Sequence, residues 1–156
     1  MRHTRFHFWL HCLLAVGMCE GVGFASSFFT FSSIRTWYST LHTPFFTPPS
    51  MVFAPVWTTL YALMGISLAL AWKKKKNISF RWFWIQLCLN ALWSLIFFAA
   101  RNPLLAMGIL VVLWGSIVMT MRSFHSVRIA SVLLLPYLIW VSFAGILNLS
   151  IVLLNR

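Results

Sequence analysis

Residues 103 to 121 read PLLAMGILVVLWGSIVMTM, a run with no charged side chain. At 1.5 Å per helical residue it reaches about 28 Å, close to the roughly 30 Å of a bilayer's hydrocarbon core. Four further apolar runs flank it, at 6–31, 51–72, 82–100 and 129–154. The chain as a whole is 61% hydrophobic and 8% charged, whereas soluble domains carry roughly 45–50% apolar and about 25% charged residues. The expected fold is therefore all-α: an integral membrane bundle of five transmembrane helices, forming a single domain over residues 1–156. A membrane barrel is disfavoured, because its strands would alternate in hydropathy over about ten residues, and these runs are continuous.

Short connections (73–77, 101–102 and 122–128) make neighbouring helices antiparallel and place them in contact. The first connection is different. Residues 32–50 form a long extramembrane loop that holds WYSTLHTPFFTPPS at positions 37–50. Pro44, Pro48 and Pro49 fix φ and remove backbone donors, so this segment loses less entropy on closing over a ligand. Loops beyond about 12–15 residues are usually functional or disordered, and the rings of Trp37 and Tyr38 argue for function, as a lid.

The net charge is +11, but it is confined to span ends and connections. Arg2, Arg5, Lys73, Lys74, Lys75, Lys76, Arg81, Arg122 and Arg128 fall on one side, against Arg35, Arg101 and Arg156 on the other. That asymmetry predicts a cytoplasmic N-terminus and an outward first loop, and gives no reason to invoke nucleic acid. A secretory signal reading of the N-terminus competes. It is disfavoured because the apolar run resumes to Phe31 and Glu20 would interrupt the h-region. The lack of an Arg- and Ser-rich amphipathic leader favours a bacterial inner membrane over an organellar one.

Gly17, Gly21 and Ala25 recur every fourth residue, a pattern that lets another helix approach closely, within the same bundle or in a homodimer. Cys12, Cys19 and Cys88 lie within spans and read as small apolar fillers. His3, His7 and His11 align on a helix, yet no carboxylate stands near to complete a metal shell, so no metal site and no cofactor are expected. Glu20 is the only acid in the chain. Paired-carboxylate hydrolysis and Ser-His-Asp catalysis therefore lack parts. A lone intramembrane acid is either functional or protonated and bonded to a neighbouring helix.

What remains is aromatic and amide content in helical phase. Gln86, Asn90, Trp93 and Phe97 share one stripe of span three; Pro136, Trp140, Ala144 and Asn148 share one of span five; Trp57, Tyr61 and Met64 share a face of span two. These stripes converge beneath the first loop. Interhelical packing and an interfacial aromatic belt account for most of the tryptophans, but three aligned stripes under a long loop predict a pocket for a flat, largely apolar ligand.

The motifs WYSTLHTPFFTPP (37–49), FAPVWTTLYALMG (53–65), LNALWSLIFFAAR (89–101) and PYLIWVSFAGILN (136–148) resemble the translocator protein family, also known as tryptophan-rich sensory proteins. The resemblance runs from about Arg35 to Asn148 and weakens in span one. It implies a five-helix membrane bundle, often dimeric, that binds porphyrins such as protoporphyrin IX and similar flat hydrophobic ligands. The matching pocket positions are Trp37, Tyr38, Pro48, Tyr61, Asn90, Trp93, Trp140 and Ala144, to which the stripe on span five adds Asn148. Two functions follow as expectations. One is binding in the service of sensing or transport; the alternative is light- or oxygen-dependent porphyrin breakdown with Trp37 and Trp140 as redox partners. Three departures stand out. Thr43 and Phe46 replace a usual basic residue and a usual Trp, and Leu149 breaks the sterol motif of span five.

Overall fold

The computed structural model describes residues 2–74 and 78–156, with side chains from Phe8 onward except Ser32. His3 and His7 of the predicted histidine stripe, and Lys75 and Lys76 of the lysine run, lie outside the described residues or side chains. Among those described, five helical stretches are long and apolar enough to cross a membrane. The main elements are α1 (Arg2–Thr36), α2 (Ser50–Lys74), α3 (Arg81–Ser94), α4 (Pro103–Ser123), α5 (Arg128–Val132) and α6 (Leu135–Leu154). A 3₁₀ turn covers Tyr38–Thr40, and a π-helical segment, Leu95–Ala99, extends α3.

The helices close into a ring. Helix α1 packs on α2 and α3, α3 on α4, α4 on α6, and α5 on α2. The tight turn between α3 and α4 rests on two local choices. Arg101 adopts the left-handed region at φ 52°, and the side chain of Asn102 accepts from the Leu105 amide at 3.0 Å. Pro103 then opens α4, where its missing N–H costs nothing.

Four features depart from the sequence expectation, each for a physical reason. Helix α1 runs five residues beyond Phe31, to Thr36, so the connection to α2 is shorter than the 32–50 expected. Its last turns are pinned to α3: Thr30 Oγ1 and Ser94 Oγ lie 2.9 Å apart, and Ser33 Oγ donates to the Phe98 carbonyl at 2.6 Å. Span five is two helices rather than one. Pro136 has no N–H to give to the Val132 carbonyl, and the chain breaks at Leu133–Leu134 before α6 begins. Span three starts as an α-helix but ends as a π turn, with the Ala100 amide donating five residues back to Leu95 at 2.9 Å.

The fourth correction concerns the glycines. A Cβ at Gly17 or Gly21 would meet no heavy atom within 4 Å, and Gly17, Gly21 and Ala25 are exposed. That stripe is not a seam within the bundle. The close approach instead uses Gly65, where a Cβ would stand 2.4 Å from Val16 Cα, and Gly23, where it would stand 2.3 Å from the Tyr61 ring. Gly65 thus permits backbone-level contact between α1 and α2.

Candidate functional site: a cavity beneath the first loop

Asn90 ties three helices together. Its Oδ1 accepts from the Tyr61 hydroxyl of α2, and its Nδ2 donates to Tyr137 Oη of α6 at 2.8 Å. All three side chains are buried, so the pairing satisfies groups that would otherwise be costly to desolvate. This network forms one end of a cavity of about 480 Å³, within the range typical of ligand sites.

Aromatic rings make the wall above it. Trp57 lies 5.6 Å from Tyr61 and 6.3 Å from Trp93, with the ring planes within 33° and 31° of parallel. Trp93 continues to Phe97 at 5.6 Å and 35°. From α6, Trp140 packs against Phe53 at 6.0 Å and Phe143 at 5.5 Å. Flat faces at these separations suit a planar apolar guest.

The structure brings eight of the nine sequence-predicted residues to this cavity. Tyr38 and Pro48 line it from the first connection, Tyr61 from α2, Asn90 and Trp93 from α3, and Trp140, Ala144 and Asn148 from α6. Trp37 is the exception. It is half-buried against Phe97, with ring centroids 5.7 Å apart, and does not line the cavity. Gln86 and Pro136, the first members of their stripes, also fall outside the lining. Gln86 is fully buried, with neither amide atom hydrogen-bonded.

Helix α1 supplies residues that the stripe reasoning passed over. Glu20, Gly23, Ser26, Thr30 and Ile34 line the cavity, as do Phe24 and Phe31, which are 67% and 68% exposed. The cavity wall therefore reaches the surface of the bundle along α1. A signal was present in the spacing of Ser26 and Thr30, one helical turn apart. Tyr137 was also missed, although a phenol three residues before Trp140 in an apolar helix needs a buried partner.

The connection above is held by side chains as well as by its prolines. Phe46 packs on Phe143 at 6.3 Å, and Tyr38 contacts Phe97 and Phe98 at 6.2 and 5.9 Å. Asn155, just past α6, accepts from the His42 amide at 2.9 Å and donates to the His42 carbonyl at 2.9 Å. A further bond from Asn155 Nδ2 to the Ile151 carbonyl, at 2.8 Å, fixes the amide in place.

The sequence profile of the TspO/MBR family matches residues 15–154. The chain belongs to the TspO/MBR family. Within it, the chain is 46% identical over 148 residues to the tryptophan-rich protein TspO of Chlorobaculum tepidum, covering 91% of this chain and 94% of that one. Identity to the archaeal tryptophan-rich protein TspO of Archaeoglobus fulgidus is 45% over 137 residues, covering 86% and 90%. The human translocator protein is 36% identical over 132 residues, covering 80% and 78%. Like these TspO/MBR relatives in sequence, the chain is a multi-pass membrane protein whose all-helical bundle encloses the aromatic cavity described above.

Proposed function

We propose that the cavity binds porphyrins of the protoporphyrin IX type and similar flat hydrophobic molecules, and that the protein acts through this binding in sensing or transport. The observation that carries the reading is the ladder Tyr61–Trp57–Trp93–Phe97, which lines one cavity together with Trp140. A macrocycle gains stacking on indole and phenol faces, and the prolines of the connection lower the entropy lost when it closes. The names of the relatives, tryptophan-rich sensory protein and translocator protein, support a sensing or transport role. Charge supports the orientation: Lys73, Lys74, Arg81, Arg122 and Arg128 cluster at the end of the helices away from the first connection, which favours a cytoplasmic position for that end and for the N-terminus.

The test is a titration of the purified protein with protoporphyrin IX in neutral detergent, reading the Soret band. Saturable binding is expected, weakened roughly tenfold by Trp140→Leu, about 1.4 kcal/mol. Trp114→Leu serves as the control, because Trp114 lies on α4 and bonds Ser142 rather than lining the cavity. Non-saturable partitioning, equal in both variants, would remove the reading.

A further inference from the structure

Outside the cavity, one face of the bundle sets a base at the head of an apolar groove. The groove runs along α5 and α6, where Val132, Leu135, Pro136, Ile139 and Trp140 line it. Val56 and Leu60 of α2 form its other wall. Val132, Leu135 and Ile139 are exposed on the bundle's surface within a membrane span, so lipid chains are what cover them. The α5 and α6 residues recur at steps of three and one, which is the spacing of one helical face. One turn earlier on that face stands Arg128, exposed and four residues before Val132. From Arg128 to Trp140 the rise is roughly 18 Å. The hydrocarbon of one leaflet, half of the roughly 30 Å core, is about 15 Å deep. The stripe therefore has the reach of one leaflet, with a cation where the headgroups lie.

Further bases gather round that head. The Lys74 ammonium donates to the Ser126 carbonyl, which brings the end of α2 to the connection between α4 and α5. That connection is compact: the Val127 amide donates to the Phe124 carbonyl at 2.8 Å, and Ser131 Oγ to the Met121 carbonyl at 3.0 Å. Arg122 and Arg128 are both exposed at its ends. No side-chain carboxylate offsets them, because Glu20 is the chain's one acid and lines the cavity. A second copy of the chain has none to lend, for the same reason. At the depth of a bilayer surface the phosphate of an anionic lipid supplies the missing charge. We propose that the α4–α5 connection and the groove form a binding site for one anionic phospholipid. Its phosphate sits at Arg128, beside Lys74 and Arg122, and one acyl chain follows the groove to Trp140. Among the described residues Trp140 alone lines both groove and cavity, so a bound lipid reaches a ring that the cavity also uses.

Delipidated protein in neutral detergent is titrated with phosphatidylglycerol and, separately, with phosphatidylcholine of the same chains, and native mass spectrometry counts the bound lipids. One phosphatidylglycerol is expected to bind at least about tenfold more tightly than phosphatidylcholine. Arg128→Gln should weaken it about fivefold, whereas Arg156→Gln, the same loss of charge at the other end of the bundle, should leave it unchanged. Ile139→Trp fills the groove without touching a base and should weaken phosphatidylglycerol to a similar extent. Arg128, Arg156 and Ile139 are exposed, so the three variants keep the core intact. Excess inorganic phosphate should not displace the lipid, since it has no chain to seat. Equal affinity for the two lipids overturns the proposal. So does equal weakening by Arg128→Gln and Arg156→Gln, the mark of diffuse attraction to net charge. Binding untouched by Ile139→Trp would leave the groove without a role, and displacement by inorganic phosphate would leave a bare anion site; either result also overturns it.

Discussion

Asn155 holds both backbone polar atoms of His42, at 2.9 Å each, across more than a hundred residues of sequence. The end of α6 thereby fastens the segment that leads to Pro48 and the cavity. Both groups are exposed, so the bonds should contribute little to global stability while governing local opening. In Asn155→Leu the His42 amide is expected to exchange with solvent at least about tenfold faster, with the melting temperature shifted by only a few degrees. Hydrogen exchange with mass spectrometry reads the first, and a thermal scan the second. Unchanged exchange across 41–49 would show that the prolines and Phe46 hold the segment unaided.

Asn90 sets a stability test at the base of the cavity. Replacing it with Leu leaves the Tyr61 and Tyr137 hydroxyls without the partner they have. The expected cost is about 1–3 kcal/mol, measured by denaturant unfolding in detergent. Adding Tyr137→Phe to that variant should recover part of the loss, because one orphaned hydroxyl is then gone.

Gln86 predicts the opposite sign. Its amide is fully buried and unpartnered, so its desolvation is not repaid by any bond within the bundle. Gln86→Leu is expected to be neutral or to stabilise by about 1 kcal/mol. A large destabilisation would reveal a buried water bonded to the amide.

The two glycine settings of α1 and α2 part company under the same substitution. Gly65→Leu places its side chain against the Val16 backbone and is expected to cost about 3 kcal/mol or more, or to prevent folding. Gly17→Leu meets nothing within 4 Å and should unfold as the parent does. Thermal unfolding of the two variants side by side decides the matter.

Trp37 and Trp140 make the corresponding comparison for binding. Trp140 lines the cavity and Trp37 leans on Phe97 outside it. Trp37→Leu is expected to leave protoporphyrin IX affinity within about threefold, well short of the roughly tenfold loss assigned to Trp140→Leu. Equal losses would bring Trp37 into contact with the ligand.

The five spans were legible because length and apolarity alone decide what can cross a bilayer, and the stripes of α3 and α6 were legible because amides and rings are scarce in such helices. Direction was harder. The Gly17–Gly21–Ala25 repeat gave a face of α1 but not what that face meets, since lipid and a neighbouring helix are equally apolar surroundings. Gly65, without any repeat, proved to be the contact. The phase of Gln86 matched that of Asn90, yet it lies one turn farther from the loop, beyond the end of the cavity. Trp37 and Tyr38 are adjacent and chemically alike and both pack on Phe97, yet only Tyr38, where the 3₁₀ turn starts, also reaches the cavity. Nothing local marks Asn155 as the partner of His42, because that pairing exists only once the ring of helices has closed.

The wide turn at Leu95–Ala99 holds a residue more than an α turn would, and it lies beyond Asn90 and Trp93 along the chain. Deleting one residue there would let the backbone relax into ordinary α geometry while leaving the partners of Asn90 in place. Phe98, now 5.9 Å from Tyr38, would swing away, and α4 would rotate with it. The same deletion at Leu87 would instead turn the whole inner stripe. Length variation at this one turn can therefore tune how firmly the chain is capped, at the expense of the Phe97 rung but not of the Asn90 network, a route to divergence that point substitutions do not offer.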